Sequence, residues 1–204
     1  MNKPAAATAI FKPADWFALL DWREVFATPQ PLEIELGCGK GAFLAWAAQT
    51  RPHHNFLGVE RQLVRLRRVD KKAHRFGLAN VRLLRVEANY FVTKLVPDHS
   101  VAGYHIYFPD PWPKRRHHDR RLINPVFVME LHRTLGPGGA VNVATDDADY
   151  FAAMQATFAQ SGKFSATAPE ALPAAAQTEF EKIFLAQGQP IWRSRYVAGD
   201  SQCH

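Results

Sequence analysis

The sequence predicts a doubly wound α/β domain with a mostly parallel, Rossmann-like sheet, and three observations carry that expectation. Short apolar runs alternate with helix-length amphipathic segments from residue 32 onward. Strands separated in this way need crossover connections, which favour parallel pairing with helices on both faces. The composition, 47% hydrophobic and 22% charged over 204 residues, suits one globular domain with a sizeable core. A glycine-rich and a proline-rich segment each follow a strand-like run, where ligands bind in such folds.

Residues 1–31 carry Trp16, Phe17, Leu20, Trp22 and Phe26 among charges and read as an N-terminal helical flank. The main domain is then 32–204. LEIEL (32–36) reads as a strand and GCGKG (37–41) as a turn opening a helix over 42–49. NFLGVE (55–60) is a second strand, followed by a helix from Arg61 to about Phe76. VRLLRV (81–86) and VAGYHIYF (101–108) are the next strands. A helix over about 125–135 should end at GPGG (136–139), where glycine supplies a left-handed turn. AVNVAT (140–145) is a strand and 150–160 a helix. Further strand candidates lie near Phe164 and at 190–197, with a loosely composed Ala/Pro-rich loop over 165–176 between them.

No run reaches the roughly 18 apolar residues of a membrane span. The apolar stretch at the start is short and broken by Pro13, which disfavours a cleaved signal. Cys38 and Cys203 form no metal spacing and no CxxC pair, so the expectation is a cytoplasmic protein without a metal. The formal charge of +6 favours a polyanionic partner.

Three strand ends carry acids. Glu35 precedes the glycine loop, in which Gly37, Gly39 and Gly41 are spaced GxGxG rather than the GxGxxG of dinucleotide sites. A carboxylate there repels a pyrophosphate but suits the cationic amino end of S-adenosylmethionine. Glu60 ends the second strand about 20 residues beyond the loop, a position suited to ribose hydroxyls. Glu87 follows the third strand and suits an adenine edge, with Asn89 as its competitor. The competing reading makes Glu33 and Glu35 exposed edge-strand carboxylates and Glu60 a helix cap.

After the next strand comes YFPDPWPKRRHHDRRL (107–122). Pro109, Pro111 and Pro113 exclude regular structure and force a rigid loop presenting Asp110 and Trp112. Lys114, Arg115, Arg116, Arg120 and Arg121 follow within eight residues, with His117 and His118 placed for phosphate or solvent. His105, inside the strand, reads as a packed or partner-bonded residue. A second basic surface is expected on the helix after Glu60. There Leu63, Leu66, Val69, Ala73 and Phe76 make the core stripe, and Arg61, Arg65, Arg68, Lys72 and Arg75 another, with Arg67 and Lys71 nearby.

The proline-rich run resembles the signature of the bacterial-type tRNA (guanine-N7-)-methyltransferases. IELGCGKG (34–41), FLGVE (56–60), TDDADY (145–150) and TEFE (178–181) fall in that family's order. The resemblance covers roughly residues 32–197. It implies a class I methyltransferase that binds S-adenosylmethionine and methylates a guanine N7 in the variable loop of tRNA. By position, Glu35, Glu60 and Glu87 match cofactor contacts, with Gly37 and Gly39 in the same loop. Asp110 matches the catalytic aspartate, which also touches the cofactor. Lys114, Asp146, Thr178, Glu179, Phe180 and Glu181 match residues that bind the substrate. The family more often has aspartate at Glu87 and a glycine-histidine pair at Gly188-Gln189. Alternatives are a methyltransferase acting on an exocyclic amine, a nicotinamide-dependent oxidoreductase and an idle RNA-binding module.

Overall fold

The computed structural model describes residues 8–199, so Cys203 and the outermost residues of both ends lie outside the description. Eight strands form one sheet: β1 (Ile10–Phe11), β2 (Leu32–Leu36), β3 (Asn55–Val59), β4 (Val81–Leu84), β5 (Val101–Tyr107), β6 (Leu135–Thr145), β7 (Phe164–Thr167) and β8 (Trp192–Ala198). Their spatial order is β1-β4-β3-β2-β5-β6-β8-β7. Every pairing from β1 to β6 is parallel, while β8 runs antiparallel to β6 and β7. The chain builds outward from β2 through β3 and β4, then returns to the other side of β2 with β5. The carboxyl ends of β2 and β5 therefore flank the crevice where a ligand binds in such folds.

Helices α2 (Ala42–Thr50) and α3 (Leu63–Arg75) cover one face. Phe43, Leu44, Leu66 and Val69 pack there on Phe56 and Leu83. Helices α5 (Pro125–Thr134) and α6 (Ala148–Ser161) cover the other face, through Phe127, Leu131, Met154 and Phe158 against Ile34, Tyr104 and Val141. Asn124 and Asp147 cap these two helices, each accepting a backbone N–H three residues on.

The flank departs from its expected helical form. Among its described residues the one helix is α1 (Trp22–Val25), capped by Asp21, and the first element is β1, which pairs with β4. The open edge of β4 offers unpaired backbone groups, and a short strand satisfies them where Pro13 would break a helix. Trp16, Leu20, Val25 and Phe26 still pack against the core, as their apolar character demands. Helix α5 also ends differently. Leu135 continues directly into extended chain at φ −71°, and the glycines form an irregularity in the β5–β6 ladder, with Gly138 at φ +70°. The Ala/Pro-rich segment is not wholly loose: Ser165–Thr167 belong to β7, and Ala176 is fully buried against the α2 side.

Glu33 and Glu35 are not edge-strand residues. β2 is central, and both side chains are buried on the face under α2. Glu33 belongs to a polar row running across the strands. Arg51 Nη1 donates to both Glu33 oxygens at 2.8 Å, and His105 Nε2 lies 2.7 Å from Oε2. The row continues through Tyr107, 3.1 Å from His105 Nδ1, and through Asn142, which accepts from Arg195 at 3.3 Å. Burial would raise the Glu33 carboxyl, but His105, Arg51 and His54 outweigh it and hold the group at about 2. Burial keeps the His105 imidazole below its ordinary pKa, against the pull of Glu33. His105 is therefore partner-bonded, as its place in a strand suggested.

Candidate active site

The glycine loop leaves β2 with the Gly37 and Cys38 amides bonded to the Val59 carbonyl at 2.8 and 3.0 Å. Two of its glycines are required for different reasons. Gly39 sits at φ +51° and turns its amide onto Glu60 Oε2 at 3.2 Å. At Gly41, φ is +64° and a Cβ would come within 2.6 Å of Val69, so this glycine seats α2 on α3.

Glu35 ends up 3% exposed beneath this loop, and its Oε2 has no hydrogen-bond partner among the described residues. Burial raises its carboxyl well above the ordinary range, against the Leu44 amide and the Lys72 ammonium. Glu60, also buried, accepts from the Gly39 amide and from the Gln62 amide at 2.8 Å. It both braces the loop and closes the turn into α3, so its capping reading holds in part. Lys72 is not on an open phosphate-tracking surface. It is half-buried, and its Nζ donates to the Lys40 and Gly41 carbonyls at 3.0 and 3.2 Å. Burial lowers its pKa although Glu35 and Glu179 pull it up.

Glu87 stands at the N-terminus of α4 (Ala88–Tyr90), where its oxygens accept the Asn89 and Tyr90 amides at 2.8 and 2.7 Å. Capping occupies one direction on each oxygen and leaves further lone pairs. Asn89, exposed on the same turn, makes no side-chain hydrogen bond among the described residues.

The proline loop follows β5 and places Asp110 exposed at the sheet's carboxyl edge. Phe108 and Trp112, on either side of it, both have positive φ, 53 and 47°. Non-glycine residues seldom adopt this region, and such strain concentrates at functional sites. Lys114, Arg115, Arg116 and Arg120 are exposed, with Arg120 5.1 Å over the Trp112 ring. Arg121 differs from the surface cation expected: it is buried and bonded to Pro111 and to Asp149 of α6. Asp146 lies half-buried in the turn between β6 and α6.

Thr178 caps α7 (Glu179–Ala186), accepting the Glu181 amide at 3.1 Å. This helix touches both loops. Glu179 pairs with Lys40 of the glycine loop, and the Phe184 ring lies 5.7 Å from Phe108 at the start of the proline loop. Phe180 is exposed and lies 6.4 Å from Phe184. Glu181 turns inward, 2% exposed, and pairs with Arg193 of β8. The fold thus gathers Glu35, Gly37, Gly39, Glu60, Asp110, Asp146 and the start of α7 around one sheet edge, with Glu87 at the end of β4. The roles of Lys72, Arg121 and the Lys40–Glu179 pair were not read from sequence.

Among the described residues no cluster of three metal-ligating side chains occurs, and no helix is long and apolar enough to cross a membrane. Residues 29–194 match the model of a family described as "Putative methyltransferase". The chain is 36% identical over 171 residues to the tRNA (guanine-N(7)-)-methyltransferase of Thermotoga maritima, covering 83% of this chain but 55% of that protein. The enzyme of that name from Syntrophotalea carbinolica is 35% identical, with 84% of this chain and 75% of the relative covered. Among solved structures, the 16S rRNA methyltransferase KamB superposes with a TM-score of 0.64 at 14% identity, covering 87% of this chain and 91% of that one. The fold is that of class I methyltransferases, and the chain belongs to the tRNA (guanine-N(7)-)-methyltransferase family.

Proposed function

We propose that this protein transfers a methyl group from S-adenosylmethionine to N7 of a guanine in the variable loop of tRNA, in the cytoplasm. The observation that carries this reading is the partnerless Glu35 oxygen buried at the end of β2, across the crevice from the strained Asp110 loop. A cationic amino group is the partner such a carboxylate lacks, and that pairing ionises it. When bound, S-adenosylmethionine supplies an electrophilic methyl on a sulfonium. Glu60 is assigned to the ribose, and either Glu87 or Asn89 to the adenine. Asp110, also near the cofactor side, faces the base. Lys114, Asp146, Thr178, Glu179 and Phe180 are assigned to tRNA, and Glu181 supports them through Arg193.

Guanine N7 carries a free lone pair, so no proton leaves before attack. The protein's task is alignment, together with negative charge where the purine becomes cationic. Unmodified tRNA, labelled cofactor and mass spectrometry of the digested product test the reading. The expected product is 7-methylguanosine, and a methyl on an exocyclic amine would overturn it.

Glu35→Gln should weaken S-adenosylmethionine binding by about 1.5–3 kcal/mol, or roughly ten- to a hundredfold, by calorimetry. The cofactor-free protein should melt no lower than wild type, because burial holds the unpaired Glu35 carboxyl neutral there and the amide is a neutral group of similar size. Unchanged affinity would take Glu35 out of the site.

For tRNA, the α3 cations that, beside Lys71, are exposed and without a side-chain partner among the described residues are Arg67, Arg68 and Arg75, since Arg65 approaches Glu60 and Lys72 holds the glycine loop. Replacing those three by Ala should flatten the log–log salt dependence of tRNA binding. The change is about 0.7 per lost contact on single strands and about 0.9 on duplex. An unaltered slope would mark α3 as a solvated face.

A further inference from the structure

The loop carrying Asp110 is poorly held by its own backbone. Pro109, Pro111 and Pro113 have no N–H to donate, and the positive φ values of Phe108 and Trp112 persist only if the surroundings over-determine them. The Phe108 amide donates to the Ala144 carbonyl at 2.8 Å where the loop leaves the sheet. Across residues 109–113 the described residues show one hydrogen bond, from Arg121 Nε to the Pro111 carbonyl at 2.8 Å. The same guanidinium donates Nη2 to Asp149 Oδ2 at 2.6 Å and lies 4.7 Å from the Tyr150 ring centroid. Tyr150 is itself immobilised: it is fully buried, and its hydroxyl accepts the Ile123 amide at 3.0 Å.

We infer that Arg121 is a positioning residue for methyl transfer, gripping the carbonyl next to Asp110 and fixing it to the start of α6. This rests on the reading of Asp110 as the catalytic group. The geometry calls for a guanidinium, since one planar group donates in two directions while lying on an aromatic ring. A lysine ammonium supplies the charge without the fork. Arg120, one residue earlier, points to Trp112 and has no such grip.

The test is single-turnover methyl transfer to unmodified tRNA with the full chain and both substrates saturating. Arg121→Ala should lower the rate about a hundredfold, as misplacement of a reacting group by about 1 Å does. Cofactor and tRNA affinities should change little, and Arg121→Lys should restore part of the rate. In an Asp110→Asn background, Arg121→Ala should cost little more, because the group it positions is gone. Equal losses in both backgrounds, or a loss that disappears on saturation, would overturn the inference. Should Arg121→Ala not fold, Asp149→Asn loosens the same guanidinium from an exposed carboxylate and enters the same cycle. A normal rate for Asp110→Asn alone removes the catalytic reading and the positioning role with it. A slow Asp110→Asn beside a normal Arg121→Ala removes the positioning role only.

Discussion

Asp110→Asn should lower the single-turnover rate of methyl transfer roughly a hundred- to a thousandfold, while the fold and tRNA affinity survive. The substitution keeps the side chain's size and most of its hydrogen bonding. On the proposed reading, it removes the negative charge that faces the purine as positive charge moves onto it. Asp110 is exposed in the protein alone, so its field gains strength when tRNA covers the loop and excludes water. Saturating both substrates masks binding defects and leaves the chemical step. Because N7 needs no deprotonation, small amines or carboxylates added as bases should not restore the variant. Such rescue would point to an exocyclic amine as the acceptor, and a near-normal rate would reduce Asp110 to a loop-shaping residue.

The largest expected effect on stability comes from the polar row beneath α2. Glu33→Ala should destabilise the domain by about 3–5 kcal/mol in denaturant unfolding, the usual cost of removing one partner from a buried ion pair. It strands the Arg51 guanidinium and the buried His105 together. The same group predicts a pH response. Its folded pKa of about 2 lies below the ordinary 4.5, so its contribution is complete above pH 4.5 and fades as pH falls through 2. At about 1.4 kcal/mol per unit, the shift corresponds to about 3 kcal/mol, in line with the mutational figure. Wild type should lose that stability on acidification, and Glu33→Ala should lack this part of the acid transition. A variant within about 1 kcal/mol of wild type would show that the row contributes little.

Much of the α/β alternation was legible because the strands are short apolar runs and the crossover helices have one apolar stripe. What escaped was set by neighbours rather than by pattern. Two residues, Ile10 and Phe11, become a strand only because β4 has an open edge. Glu33 and Glu35 look alike in LEIEL, and sequence alone offers no sign that one gains Arg51 and the other keeps a partnerless oxygen. Arg120 and Arg121 are adjacent and chemically identical, yet Tyr150 and Asp149 select one for burial. Lys72 sat in a cationic stripe, and only the approach of α3 to the glycine loop turned it inward. The order of strand-end acids carried the site because position along a parallel sheet is a property of sequence order. The partners of each acid are a property of three-dimensional approach.

The antiparallel β8, seated between β6 and β7, has a consequence for how the chain matures during synthesis. As it is made, β7 has no neighbour with which to pair until residues 192–198 emerge. Until then α7 lacks Arg193, the partner of Glu181, and so has no anchor to the sheet through that pair. The hydrogen bonds that hold the glycine-loop amides and the Pro111 carbonyl, by contrast, lie wholly within residues 32–150. The cofactor side can therefore assemble while translation continues. The clamp of α7 across both loops gains its anchor through Arg193 only later, so on the proposed reading a nascent chain acquires its methyl-donor half before its complete nucleic-acid surface.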